Sequence, residues 1–147
     1  MPEVRLLDAT DGPVLENGRV RLAVRLDQGT FSLGPAHGDA VIPSAWTEAV
    51  LRDGTAIASR GAGFEVAGER AVEDAQGRGR TLTLRRRAAP GEPVLALDVT
   101  LYEDQPFVAL RSHLTNAAGT PLTVQAFHVV RTAPITAGDG WRFYRHG

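Results

Sequence analysis

The side chains able to do chemistry are few and scattered. The histidines are His37, His113, His128 and His146. No two share the i, i+2 spacing that sets ligands on one face of a strand, and no H-x-x-x-H pair suggests a helical site. Zinc and iron need three or four converging donors, so neither a metal centre nor any other cofactor is expected. Cysteine is absent, which excludes disulfides, thiolate metal sites and a thiol nucleophile. None of Ser32, Ser44, Ser59 and Ser112 lies in G-x-S-x-G. The glycines of Gly61-Ala62-Gly63 miss the spacing of a phosphate loop or dinucleotide fingerprint.

Glycoside hydrolysis calls for two carboxylates flanking one bond. Glu103-Asp104 is the obvious pair to inspect, but neighbours on a strand face opposite ways. With Gln105-Pro106 after them, they read as a solvated turn. Asp98 falls mid-strand in Leu95-Ala96-Leu97-Asp98-Val99 and should point away from the side that buries Leu97 and Val99. It reads as surface charge. An aldose epimerase would need an acid and a base on one sheet face, and His113 and His128 are the available contributors. No catalytic residue is assigned. Flat aromatic rings beside polar groups bind sugars, so Trp46, next to Thr47 and Glu48, is the candidate substrate-binding residue. Its alternative is a core or interdomain packing role.

These residues must be positioned by strands. Val20, Leu22, Val24 and Leu26 alternate with Arg19, Arg21 and Arg25, a period of two with one dry face. Asn17-Gly18 just ahead should supply the positive φ values of a tight hairpin. Asp27-Gln28-Gly29 turns into Thr30–Leu33, and Asp53-Gly54 joins Trp46–Leu51 to Thr55–Ser59. Phe64–Ala67 reads as a short strand. Thr81–Leu84 runs into Arg85-Arg86-Arg87, which suits an exposed edge strand guarded by charge. Val94–Tyr102, Pro106–Asn116 and Leu122–Val130 complete the set. No window holds a 3.6-residue period, and 16 Gly with 9 Pro disfavour long helices. The fold class expected is all-β, an antiparallel sandwich with little helix.

Length and composition agree with one folded domain. The chain has 147 residues, of which 43% are hydrophobic and 22% charged. A net charge of -1 carries no footprint of nucleic acid or an anionic membrane surface, so neither is expected as a partner. All 16 basic residues are Arg, a coding bias without functional content. The N-terminus lacks a signal peptide's apolar run, and no stretch reaches the roughly 20 apolar residues of a membrane span. A cytoplasmic location is therefore expected. Trp141, Phe143 and Tyr144 crowd the last residues, whereas chain ends are usually polar. The expectation is a domain over residues 1–140, with 141–147 beginning a connection to a further domain.

The string Leu97-Asp98-Val99-Thr100-Leu101-Tyr102-Glu103-Asp104-Gln105-Pro106-Phe107-Val108-Ala109-Leu110-Arg111, followed by Leu114-Thr115-Asn116, resembles the N-terminal β-supersandwich domain of melibiase-type α-galactosidases, glycoside hydrolase family 36 and its relatives. Glu16-Asn17-Gly18-Arg19-Val20 through Gly29–Leu33 is similar to that domain's first hairpin. Trp141–Gly147 looks like the segment entering the catalytic barrel. From His37 to Arg80 the likeness is one of strand rhythm, and the Glu-Asp-x-Pro-Phe turn also suits other domains of galactose mutarotase-like fold. The resemblance implies a non-catalytic domain that supports a retaining (β/α)8 glycosidase barrel, itself absent from this sequence, and that shares in homo-oligomer contacts. A free-standing module binding oligosaccharides, or less closely an epimerase or mutarotase, is the alternative.

Overall fold

Val20, Leu22 and Val24 are buried while Arg21 is exposed, so alternation here does make a strand with one dry face. The computed structural model describes residues 3–133. Their strands are β1 (Arg5–Ala9), β2 (Gly12–Glu16), β3 (Val20–Arg25), β4 (Thr30–Pro35), β5 (Ile42–Leu51), β6 (Ala56–Ala58), β7 (Phe64–Asp74), β8 (Gly77–Arg86), β9 (Val94–Tyr102), β10 (Val108–Thr115) and β11 (Val124–Thr132). All pairing is antiparallel. One sheet runs β1-β2-β3-β4-β5-β11, with β6 also on β5; the other runs β10-β9-β8-β7. The protein is an all-β sandwich. Among the described residues no helix is long and apolar enough to cross a membrane.

The two inner faces meet in one main core. Leu22, Val24, Phe31 and Ala45 come from the larger sheet, and Leu82, Leu84, Leu97, Val99 and Leu101 from the smaller. Leu82, Leu84, Leu97 and Leu101 are wholly buried, and each contributes about 2 kcal/mol of transfer free energy. The long β9–β10 hairpin and the β5–β6 hairpin form as the turn residues indicate. Gly29 turns β3 into β4 at φ 68°. A Cβ there would lie 1.8 Å from the Ser59 carbonyl oxygen, so no other residue fits.

Three expectations are corrected. The short strand at Phe64–Ala67 runs on to Asp74, through a bulge between Val66 and Gly68. Its outer part, Glu69 to Asp74, is mostly charged and forms the sheet edge, so it carries no apolar period. Arg85-Arg86-Arg87 does not mark an edge. β8 pairs with β7 on one side and β9 on the other. Each arginine has a carboxylate instead: Arg85 with Glu65, Arg86 with Glu92, Arg87 with Asp27.

The third correction concerns Asn17. In the β2–β3 turn Gly18 takes the positive φ, 85°, and Asn17 does not. Asn17 acts through its amide, which is 1% exposed. Its Oδ1 accepts from the N–H groups of Arg19 and Val20, at 3.0 and 2.9 Å. Its Nδ2 donates to the carbonyls of Tyr102 and Gln105 in the β9–β10 turn, at 2.6 and 2.8 Å. One side chain thereby shapes its own turn and ties the two sheets together.

Asn17→Ala is expected to lower the unfolding free energy by about 3 kcal/mol, because it strands two carbonyls and two N–H groups. Asn17→Asp keeps the acceptor but turns a second oxygen against two carbonyls, so it should not restore stability. Urea denaturation of the three proteins checks this. An Asp variant as stable as the native chain would show that the inter-sheet half of the contact carries no weight.

Candidate functional site: the polar face of the four-stranded sheet

Alternation in β9 sends Leu95, Leu97, Val99 and Leu101 inward and Ala96, Asp98 and Thr100 outward. Register then sets the outward residues of all four strands in rows. Asp98 lies opposite Arg111 of β10 and Thr83 of β8. Thr100 lies opposite Ala109 and Thr81, and Thr81 opposite Arg70 of β7.

Asp98 is the centre of this face. Its side chain is 15% exposed. Thr83 Oγ1 donates to Oδ1 at 2.6 Å, and His113 Nε2 lies 3.0 Å from Oδ2. An Arg70 guanidinium nitrogen stands 3.9 Å from Oδ2. Burial alone would raise the Asp98 pKa. The hydrogen bonds from Thr83 and His113, with the charges of His113 and Arg70, outweigh burial and hold it below the ordinary value. The neighbouring row pairs Thr81 Oγ1 with Thr100 Oγ1 at 2.7 Å. Beyond it the Tyr102 hydroxyl donates to Asp74 Oδ2 at 2.7 Å. That bond, then burial and the Asp74 charge, raises the Tyr102 pKa.

Asp98 does point outward, as its strand position requires, but it is not simply surface charge. The signal was a carboxylate inside a strand whose two partners bring Thr83 and His113. Only the register discloses that meeting. Such a face can orient hydroxyl and carboxylate groups. His113 with Asp98 also has the form of an oriented imidazole, able in principle to relay a proton from its other nitrogen.

His128 is not brought to it. It lies opposite Glu48 on the outer side of the larger sheet, so His113 and His128 stand on opposite outer faces. His37 lies exposed in the β4–β5 connection, and His146 lies outside the described residues, as do Trp141, Phe143 and Tyr144. Glu103 and Asp104 form the expected turn. Asp104 takes a φ of 59° and pairs with Arg19 at 3.0 Å. Ser59 is buried, donating to the Gly29 carbonyl and accepting from the Thr47 N–H. Among the described residues no group of three or more His, Asp or Glu is placed to hold a metal.

Trp46 lies on the outer side of β5, 8% exposed, with the Arg60 guanidinium 4.4 Å from its ring centroid. This cation–π stack occupies the surface that a sugar would need. Arg60 would have to swing aside before Trp46 could serve as a subsite.

Fold and site together define a two-sheet antiparallel sandwich with one strongly polar outer face. No protein family, curated protein or solved structure matches the chain.

Because its folded pKa is depressed, Asp98 contributes stability that is fully present above the unfolded-state value, about 3.9. That contribution is lost as pH falls through the folded value. Asp98→Asn should therefore be less stable than the native chain by about 1–2 kcal/mol near neutral pH. The gap should narrow as pH falls below about 3.9 and close once the folded carboxyl is protonated. Urea midpoints across this range test it; a gap independent of pH would show that Thr83 and His113 do not hold the carboxylate ionised.

Proposed function

We propose that this chain is a non-catalytic β-sandwich domain of an α-galactosidase-like glycoside hydrolase, packed against a catalytic barrel encoded after it. The observation that carries the reading is β11. It is an edge strand bonded to β5, yet Val124, Phe127, Val129 and Val130 along it are all exposed. Edge strands usually carry charge or Pro against unwanted pairing. Exposed apolar residues spread along an edge strand instead suit a surface that a partner covers. β11 is also the last described strand, so chain following it starts beside this surface.

The two stretches that resemble the melibiase-type domain support the reading further. Glu16–Val20 and Tyr102–Phe107 are far apart in sequence but meet in the fold, through Asn17 and through Arg19 with Asp104. In this reading the domain is cytoplasmic, shares in homo-oligomer contacts and leaves hydrolysis to the barrel.

Two measurements test it. The DNA beyond the Gly147 codon is expected to continue in frame for several hundred residues of alternating strand and helix pattern; an immediate stop codon overturns the proposal. Val129→Thr with Val130→Thr should reduce self-association of the isolated chain several-fold in sedimentation velocity, with little change in melting temperature. Undiminished association would show that β11 is not the sticky surface.

A further inference from the structure

The outer face of β7–β10 contains a hollow that the interdomain reading leaves unused, and it lies on the sheet opposite β11. We propose that this hollow binds a sugar-sized carboxylate, of the hexuronic acid class. Its middle row is Arg70–Thr81–Thr100–Ala109, in register across four strands. Thr81, Thr100 and Ala109 are short, while Asp98 with Arg111 stands on one side and Tyr102 on the other. The resulting cleft measures about 330 Å³, the size of a small-molecule site.

The donors and acceptors lining the cleft are out of balance. Asp98 is taken by Thr83 and His113, and Asp74 by Tyr102. Thr81 and Thr100 share one hydrogen bond, so one hydroxyl hydrogen of the pair stays free to donate. Arg70 reaches no carboxylate closer than 3.9 Å. Arg111 makes no ion pair or side-chain hydrogen bond among the described residues, and its side chain borders the cleft. Two guanidinium groups and a hydroxyl thus face a space short of acceptors. A ligand can bring them in place of water.

Charge selects among ligands that do. Arg70 and Arg111 are matched by Asp98 and Asp74 around the same cleft, so a phosphate dianion would meet two carboxylates as well as two cations. A single carboxylate meets a planar guanidinium fork with two parallel hydrogen bonds and adds one charge only. The threonine floor suits the hydroxyls of a sugar ring. Neutral sugars satisfy the floor but bring no carboxylate to Arg111 or to Arg70, whose one ion pair is the long contact with Asp98.

Isothermal titration calorimetry at low salt, with D-galacturonate, D-glucuronate, D-galactose and inorganic phosphate, tests the proposal. A uronate is expected to bind the native chain, roughly tenfold more weakly after Arg111→Gln, and more weakly again with Arg70→Gln added. Galactose should give no heat, and phosphate less than the uronate. Both arginines are exposed, so melting temperatures should change little, least for Arg111→Gln, and a large loss of affinity is assignable to the cleft. The proposal is overturned if neither uronate binds at roughly ten millimolar. It is overturned equally if the arginine variants bind as well as the native chain, or if galactose or phosphate binds more tightly than the uronate.

Discussion

A buried amide that satisfies four backbone groups at once constrains how the two sheets of this sandwich can meet. Hydrophobic contact between inner faces is strong but non-directional, and leucines can slide against one another. Asn17 removes that freedom at one end. Its Oδ1 shapes the β2–β3 turn, and its Nδ2 holds the carbonyls that close the β9–β10 turn. The left-handed Asp104 in that second turn is then held by Arg19, from the first. At the other end the Phe64 N–H, at the start of β7, donates to the Leu26 carbonyl just after β3, at 2.7 Å. Directional polar contacts set the relative placement of the sheets, and the leucine core then fills the space between them.

The polar outer face follows from that placement. β9 puts Ala96, Asp98 and Thr100 outward while its inward leucines are fully buried. β8 lies between β7 and β9, so the outward side chains of Thr81 and Thr83 are flanked on both sides and can be partly or wholly covered. Asp98 is ionised in half-buried surroundings because Thr83 comes from one neighbouring strand and His113 from the other. No single hairpin could supply both. The face is therefore a property of the sheet.

Much of the fold was legible in the residues. β3, β9 and the turns at Asp27–Gly29 and Asp53–Gly54 were marked by clean alternation and turn residues, because β3 and β9 each have one dry face. The outer part of β7 was not, because an edge strand wet on most sides has no apolar period to detect. Arg85-Arg86-Arg87 misled for a related reason. Three adjacent charges suggest an edge, but β8 is an inner strand, and the arginines pair with Glu65 of β7 and with Glu92 and Asp27 of neighbouring turns. Asn17 was seen as a turn former, and its inter-sheet role could not be seen, since its partners lie 85 and 88 residues away. The same holds for Asp98, whose neighbours are fixed by register alone.

The two sheets divide the surface between them. β11 and its exposed valines extend the larger sheet at its edge, where strand-by-strand contact with further protein needs no change in the sandwich. The cleft of the smaller sheet sits on its opposite outer face, walled by side chains whose backbones are already paired. A ligand there would meet preformed donors and order only Arg70 and Arg111, which limits the entropy lost on binding. Coverage of β11 would leave that cleft open. An interdomain role for one sheet and ligand binding by the other are thus compatible in one small domain, because the core separates them and Asn17 keeps their relative positions.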